Sequence, residues 1–334
     1  MLLCITTLTT IRDASCEKLI VHLLTRLFST PAGRIVGCDF AGTVEDSNGS
    51  VWRGGQRVAG FVQGTTVSPT RGAFAEFVVV ESSLVYEIPE TVSFQEAAVI
   101  PLAFATAVQA LFQRLGLPEP LDTQAKTANA PSLLINGGAT SVGKYAIQLG
   151  KLAGLHVIAT GSSKNHALLQ SLGADAVVDY TNADWPEQVR RLTDDDGPRH
   201  ALDCIAEKGT VQAVAKALSP TADGHIVTLL PVGQLRDSGE LEKVNPKVRL
   251  ESTIVYTVFE RPLKYKAFDN CGQLTPEDKA VWEKYLRLLP GWLVEGKIRP
   301  NRISEKGGME DILVGFREQQ EGKVSAEKLV YRIV

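Results

Sequence analysis

Leu133 to Gly161 reads LLINGGATSVGKYAIQLGKLAGLHVIATG, passing from an apolar run through a glycine-bearing turn to a second apolar run. The apolar run Leu133-Leu134-Ile135 has the composition of a buried strand. Gly137-Gly138-Ala139-Thr140-Ser141-Val142-Gly143 follows as a turn of small residues. Val142, Tyr145, Ala146, Leu149, Leu152 and Ala153 then recur at the three- and four-residue spacing of one helix face. A second apolar strand spans Leu155 to Ala159. Strand, turn, helix and strand in so short a stretch make the βαβ module of a dinucleotide-binding sheet.

The residue types suit that chemistry. A pyrophosphate is held at a helix N-terminus by unpaired backbone N–H groups and the positive end of the dipole. The backbone must come close to the ligand, so the turn is built from Gly137, Gly138, Ala139 and Gly143. Thr140 and Ser141 stand where the commonest fingerprint has glycine, and their hydroxyls can donate to phosphate oxygens. A glycine-rich turn alone is weak evidence, and the flanking strands and helix are what support it.

The end of the second strand reports the kind of cofactor. NAD-preferring sites carry Asp or Glu there, to hold the ribose 2′-hydroxyl. This chain continues Gly161-Ser162-Ser163-Lys164-Asn165, with no carboxylate. Hydroxyls and a cation suit a 2′-phosphate, which predicts NADPH. The plainer reading is that Ser162 caps a helix over Lys164 to Leu172, and the two roles can coexist.

Bulk properties set limits. With 334 residues, 44% hydrophobic and 22% charged, the chain is long enough for two globular domains. A net charge of −3 argues against a nucleic-acid partner. Five cysteines, Cys4, Cys16, Cys38, Cys204 and Cys271, are scattered without a C-x-x-C pair, which fits a reducing, cytoplasmic setting. The start, MLLCITTLTT, lacks the basic n-region of a secretory signal. The longest apolar segment, Ala97 to Phe112, is interrupted by Pro101 and Gln109, so no membrane span is expected.

Before the module, residues 1–32 carry no motif, although Cys16 to Phe28 has a leucine-rich helical side. Gly37 to Val44, Gly54 to Gly60, Arg71 to Val80 and Leu84 to Pro89 read as short strands punctuated by glycine, the signature of a small barrel or sandwich. Helices are expected at Phe94–Ala98 and Ala103–Leu115. After the module, strands at Ala176–Asp179, Ala201–Ile205, His225–Leu229 and Ser252–Tyr256 alternate with helices at Asp184–Leu192 and Thr210–Leu218, which predicts an α/β doubly wound parallel sheet. Asp194-Asp195-Asp196-Gly197-Pro198 reads as a solvated loop, and residues 260–275 as another. Helices at Asp278–Leu289, with Val281, Tyr285, Leu288 and Leu289 on one face, and at Gly308–Gln319 precede a closing strand, Lys328–Ile333.

The order G-C-D-F-A-G, G-x-R-V-x-G, G-A-F-A-E-F, I-P and G-G-A-T-S-V-G resembles the medium-chain dehydrogenase/reductase superfamily. With E-K-L-V near the C-terminus, the set is similar to the fungal trans-acting enoyl reductases, which serve polyketide synthases whose own reductase domain is inactive. The resemblance implies a GroES-like β-barrel domain over 1–98 and 265–334 and a Rossmann domain over 99–264. It implies that Thr140, Ser141, Val142 and Gly143 hold the pyrophosphate of NADPH, and that Ser162, Ser163, Lys164 and Asn165 hold its 2′-phosphate. Tyr180 would flank the adenosine, and Leu229, Leu230, Val324 and Ser325 would approach the nicotinamide. Pro101, Leu102, Ala103, Phe104, Ala105, Thr106, Ala107 and Val108 would line an acyl channel with Ser252, Thr253, Ile254, Val255 and Tyr256. Plain core packing is the competing reading of these two apolar segments. The implied partner is the acyl carrier protein of a polyketide synthase, alone or fused to a peptide synthetase, and the implied state is a monomer.

Where zinc-dependent members carry G-H-E, this chain has Gly37-Cys38-Asp39, which lacks the three-ligand set of a catalytic zinc. No metal is expected, and Cys38 reads as a small buried residue. An activated alkene fits better than a carbonyl, because the substrate's thioester can itself hold the enolate charge. No proton donor is evident. Tyr256 is a candidate by resemblance of its neighbourhood, against packing in a strand, and solvent is the alternative. A zinc-independent quinone or enone reductase shares these features. Family members also begin with a barrel segment containing N-P-x-D, and residues 1–32 do not resemble it. This predicts a barrel with unpaired strand edges and leaves open a non-catalytic, cofactor-binding remnant.

Overall fold

The computed structural model describes residues 2–11, 35–64, 71–120, 130–207, 209–229, 238–261 and 276–333. In chain order, β1 (Leu2–Ile11), β2 (Asp39–Asp46), β3 (Arg57–Phe61), β4 (Phe77–Glu81) and β5 (Val85–Glu87) come first. Two helices follow, α1 (Phe94–Ala98) and α2 (Pro101–Val108), the latter continuing as a π-helical turn over Gln109–Arg114. Strands and helices then alternate: β6 (Ser132–Asn136), α3 (Ser141–Leu152), β7 (His156–Thr160), α4 (His166–Ser171), β8 (Ala176–Val178), α5 (Trp185–Arg191) and β9 (His200–Asp203). The alternation continues through α6 (Thr210–Ala217), β10 (Gly224–Thr228), α7 (Glu240–Val244) and β11 (Val248–Ser252). Then come α8 (Pro276–Val294), β12 (Arg302–Glu305), α9 (Ile312–Gln320) and β13 (Glu327–Arg332). The chain forms two compact units, one of Met1–Ala105 with the described residues from Tyr256 on, the other of Thr106–Val255.

The second unit is a six-stranded parallel sheet in the order β11-β10-β9-β6-β7-β8. Strands buried on both faces need continuous apolar runs, and β6 and β7 supply them. Leu134, Ile158, Ala201 and Ile226 pack with Val189, Val211 and Val214 of the crossing helices. The strand order reverses between β6 and β9, which is the topological switch point where open α/β sheets bind ligands at their carboxyl ends.

The first unit is a seven-stranded sheet, β12-β13-β1-β2-β3-β5, with β4 also paired to β1. Its core joins Phe40, Val44, Val58, Val78, Val80 and Val85. Residues 2–11, which carried no motif, form a strand inside this sheet, while β12 and β5 stand at its two ends. β1 is antiparallel to β2 (Thr9 opposite Phe40), to β13 (Leu8 opposite Arg332) and to β4 (Thr6 opposite Phe77). Leu2–Ile11 is rich in Thr and Ile, whose branched side chains favour the extended backbone. The helical side read at Cys16 to Phe28 lies outside the described residues, as does the loop reading beyond Arg261 up to residue 275.

Three further expectations shift. The strand placed at Ser252–Tyr256 is instead β11, and Val255–Phe259 is a 3-10 turn. β11 is an edge strand carrying Arg249 and Glu251, so its polar residues hid it while the apolar run beyond it imitated a strand. α8 runs on through Pro290, and its buried side is Trp282, Tyr285, Leu286, Leu289 and Leu293, with Leu288 exposed. The helix read from Gly308 begins as a 3-10 turn, Met309–Asp311, before α9.

Glu251 sets a pH dependence at this edge. Arg249 donates to His225 Nδ1 (2.9 Å), which leaves His225 Nε2–H directed at Glu251 Oε2 (3.1 Å). That hydrogen bond, with the Arg249 and Arg114 charges nearby, holds the Glu251 carboxyl below its ordinary 4.5 despite burial. A lowered folded-state pKa contributes stability that is present above the ordinary value and is lost as the pH falls through the folded one. Glu251→Gln should therefore weaken the acid dependence of unfolding below about pH 4.5, measured by denaturant titration at neutral and acidic pH.

Candidate functional site

The carboxyl ends of three neighbouring strands are joined by side chains beneath the turn that follows β6. Asn136, Thr160 and Asp203 end β6, β7 and β9, and all three are buried. The Thr160 hydroxyl donates to Asn136 Oδ1 (2.7 Å) and accepts from the Gly137 N–H (3.0 Å). Asn136 Nδ2 donates to Asp203 Oδ1 (2.8 Å). Asp203 also accepts from the N–H groups of Ile205 and Ala206 (3.0 and 3.1 Å) and from the Thr210 hydroxyl (2.8 Å). The Gly138 N–H reaches Thr160 O (2.8 Å). The turn thus stands on a fully bonded polar network, which fixes one arrangement at the switch point. Sequence reading missed these three residues. The available signal was a polar residue closing each apolar strand on the same sheet edge.

On that base the turn enters α3. Gly137 has φ +81°, a conformation that side chains strain. Thr140 is the N-cap, and its hydroxyl accepts from the Gly143 N–H (3.0 Å). An accepting hydroxyl still carries a proton to donate. Ser141 and Val142 open the helix and are buried. At Gly143 a Cβ would lie 2.4 Å from Gly137 O and 2.9 Å from Gly138 Cα, so glycine alone lets the helix start pack on the turn. Thr140, Ser141, Val142 and Gly143 are therefore brought together at the first turn of a twelve-residue helix.

Beyond β7, Ser163–Asn165 forms a 3-10 turn before α4. Ser162 makes no capping bond. It accepts from Asn165 Nδ2 (3.3 Å), so the plain capping reading fails. The Ser163 N–H donates to Asp179 Oδ2 (3.1 Å), and Lys164 is exposed. Bonds from the Thr181 N–H and hydroxyl hold the Asp179 carboxyl below the usual range. Tyr180, next in sequence, is 52% exposed. Leu229 is half-buried just past β10, and Leu230 lies outside the described residues.

In the first unit the centre is Asp39, the opening residue of β2. Its Oδ1 accepts from the Leu102 N–H (2.7 Å), and its Oδ2 pairs with the Lys328 ammonium of β13 (2.8 Å). Both side chains are 0% exposed, and Lys328 also donates to Val99 O (3.3 Å). Cys38 Sγ, one residue earlier, is 3.2 Å from Tyr256 Oη. The Tyr256 ring stacks on Phe259 and tilts against Phe61, both at 6.4 Å. Pro101 to Val108 are all buried, and so are Thr253, Ile254 and Val255, with Ser252 and Tyr256 half-buried. In the second unit the Thr253 hydroxyl donates to Gln109 Oε1 (2.5 Å), and the Ser252 and Thr228 hydroxyls are 3.1 Å apart. Val324 packs in a core cluster with Phe74, Ile312 and Leu329, whereas Ser325 is exposed.

Residues 9–90 match the family described as alcohol dehydrogenase GroES-like domain, and residues 141–267 match the family described as zinc-binding dehydrogenase. The chain belongs to the medium-chain dehydrogenase/reductase superfamily of oxidoreductases, whose Rossmann unit uses a nicotinamide cofactor. It is 35% identical over 317 residues to the trans-enoyl reductase caaB of Aspergillus niger, covering 92% of this chain and 84% of that one. It is also 35% identical to a zinc-type alcohol dehydrogenase-like protein of Schizosaccharomyces pombe, covering 91% and 86%. The solved CurK enoyl reductase shares the fold, with a TM-score of 0.74 at 19% identity over 100% of this chain and 91% of that one.

The zinc in two of those descriptions does not fit Gly37-Cys38-Asp39. Both Asp39 oxygens are taken, one by a backbone N–H and the other by an ammonium, and Cys38 Sγ faces Tyr256. Among the described residues no three His, Cys, Asp or Glu side chains converge. Among them, too, no helix is long and apolar enough to cross a membrane.

Proposed function

We propose that this chain is a trans-acting enoyl reductase: with NADPH it reduces the C=C bond of an enoyl thioester carried on the acyl carrier protein of a polyketide synthase, or of one fused to a peptide synthetase. The observation that carries the reading is the commitment of Asp39 to Lys328 and Leu102, where a carbonyl-reducing relative would place metal ligands. A site without a Lewis acid suits a substrate whose own thioester takes up the charge. The cofactor, when bound, supplies the hydride that adds to the β-carbon. Thr140 to Gly143 hold its pyrophosphate with backbone N–H groups and a hydroxyl, and Ser162 to Asn165 face the 2′-phosphate. Tyr180 flanks the adenosine, and Leu229 lies toward the nicotinamide. Pro101 to Val108 and Ser252 to Tyr256 enclose the acyl chain and keep water out. Cys38 and Cys204 are buried and in no disulfide, which fits work in the reducing cytoplasm.

Purified chain with NADPH and an enoyl thioester should oxidise the cofactor and yield the saturated thioester. Turnover of quinones with silence on thioesters would replace this reading with a quinone reductase, and binding of NADPH without any turnover would replace it with a remnant. Lys164→Ala tests the 2′-phosphate assignment separately. A lost charge-assisted hydrogen bond is worth about 1.5–3 kcal/mol, so NADPH affinity should fall roughly 10- to 100-fold with NADH affinity unchanged. Equal losses for both cofactors would move the 2′-phosphate elsewhere.

A further inference from the structure

Asp39 and Lys328 form a fully buried ion pair between residues 289 positions apart in sequence. Burying two charges costs solvation that their attraction only partly returns, so such a pair adds little stability over apolar residues of the same size. What it adds here is position. The carboxylate bonds the Leu102 N–H at the second residue of α2, and the ammonium bonds Val99 O at the end of α1. One point therefore ties together β2, the α1–α2 junction and β13. The carboxylate also meets the amino end of α2, where unpaired N–H groups and the dipole favour an anion. Next to it in sequence, Cys38 reaches Tyr256 across 3.2 Å. The first turn of α2 and Tyr256, two parts of the proposed acyl channel, are thus both referred to Cys38-Asp39.

We propose that Asp39–Lys328 is a positioning pair for the acyl-channel wall, and that it sets which lengths of enoyl chain the enzyme accepts. This rests on the enoyl-thioester reading above. The pair itself touches no reacting atom. It acts by holding Leu102 and, through Cys38, Tyr256 in one register.

The test compares wild type with Asp39→Asn/Lys328→Met, Lys328→Arg and Cys38→Ala. Substrates are short- and long-chain enoyl N-acetylcysteamine thioesters with NADPH. The double variant removes both charges at once and leaves a carboxamide oxygen for Leu102. Its KM for the long chain should rise about tenfold, with the short-chain KM within about twofold of wild type. NADPH affinity should hold, since the turn at α3 belongs to the other unit. Lys328→Arg, which keeps the charge and the donors, should restore the wild-type ratio of the two KM values. Cys38→Ala leaves the charges in place and should shift that ratio in the same direction by about threefold, which keeps the test open if the double variant folds poorly. Unchanged ratios in the double variant and Cys38→Ala, or a loss equal across chain lengths, would overturn the proposal while leaving the enoyl-reductase reading standing. A wild-type chain that reduces no thioester would sink both.

Discussion

Gly143→Val should abolish detectable NADPH binding. The added Cβ would lie 2.4 Å from Gly137 O and 2.9 Å from Gly138 O, and both are backbone atoms that no rotamer change can move. Either α3 starts later or the turn opens, and each outcome removes N–H groups from the phosphate position. Gly143 also donates its own N–H to the Thr140 cap, so the same shift breaks the N-cap. An affinity loss of 100-fold or more, about 3 kcal/mol, is expected from titration of cofactor fluorescence. Thr140→Ala gives the comparison: loss of the cap alone costs about 1 kcal/mol of stability. If Gly143→Val bound NADPH as wild type does, the phosphates would have to sit away from this helix.

Lys328→Met should be the most damaging single substitution to the barrel unit. It takes the Lys328 ammonium away from the fully buried Asp39 carboxylate. Stranding one member of a buried pair costs about 3–5 kcal/mol, a large part of a typical total of about 5–15 kcal/mol. Adding Asp39→Asn removes the stranded charge and should recover most of that loss. Thermal or denaturant unfolding of the wild type, the two single variants and the double variant forms a cycle that reads the coupling directly. A cost below about 1 kcal/mol for Lys328→Met would mean that water reaches the pair.

Much of this was legible in the sequence wherever local chemistry decides structure. The stretch from Leu133 to Gly161 could be read because strand, turn and helix each impose a period or a residue size on their own neighbourhood. α1 starts at Phe94, where the sequence places the beginning of a helical region, and the structure shows Ser93 and Glu96 closing that start with a reciprocal capping box. What stayed hidden depends on partners distant in sequence. Nothing near Asn136 announces Asp203, and nothing near Asp39 announces Lys328. β11 was displaced because an edge strand tolerates Arg249 and Glu251, while Val255 and Tyr256 are buried or half-buried without being extended. β1 carries no motif, and the only local sign of its extended backbone is its content of Thr and Ile.

The pairing of β1 with β13 has a consequence for biosynthesis. Thr106–Val255 holds every strand of its own sheet in one continuous run, so this half can collapse while the ribosome is still at work. The other sheet cannot be completed until residues 327–332 emerge and hydrogen-bond to a strand made long before them. Through that interval β1 to β5 wait with open edges, the condition that invites aggregation and chaperone capture. Yield of the native chain should therefore depend on slow, cool expression more than on the intrinsic stability of either half.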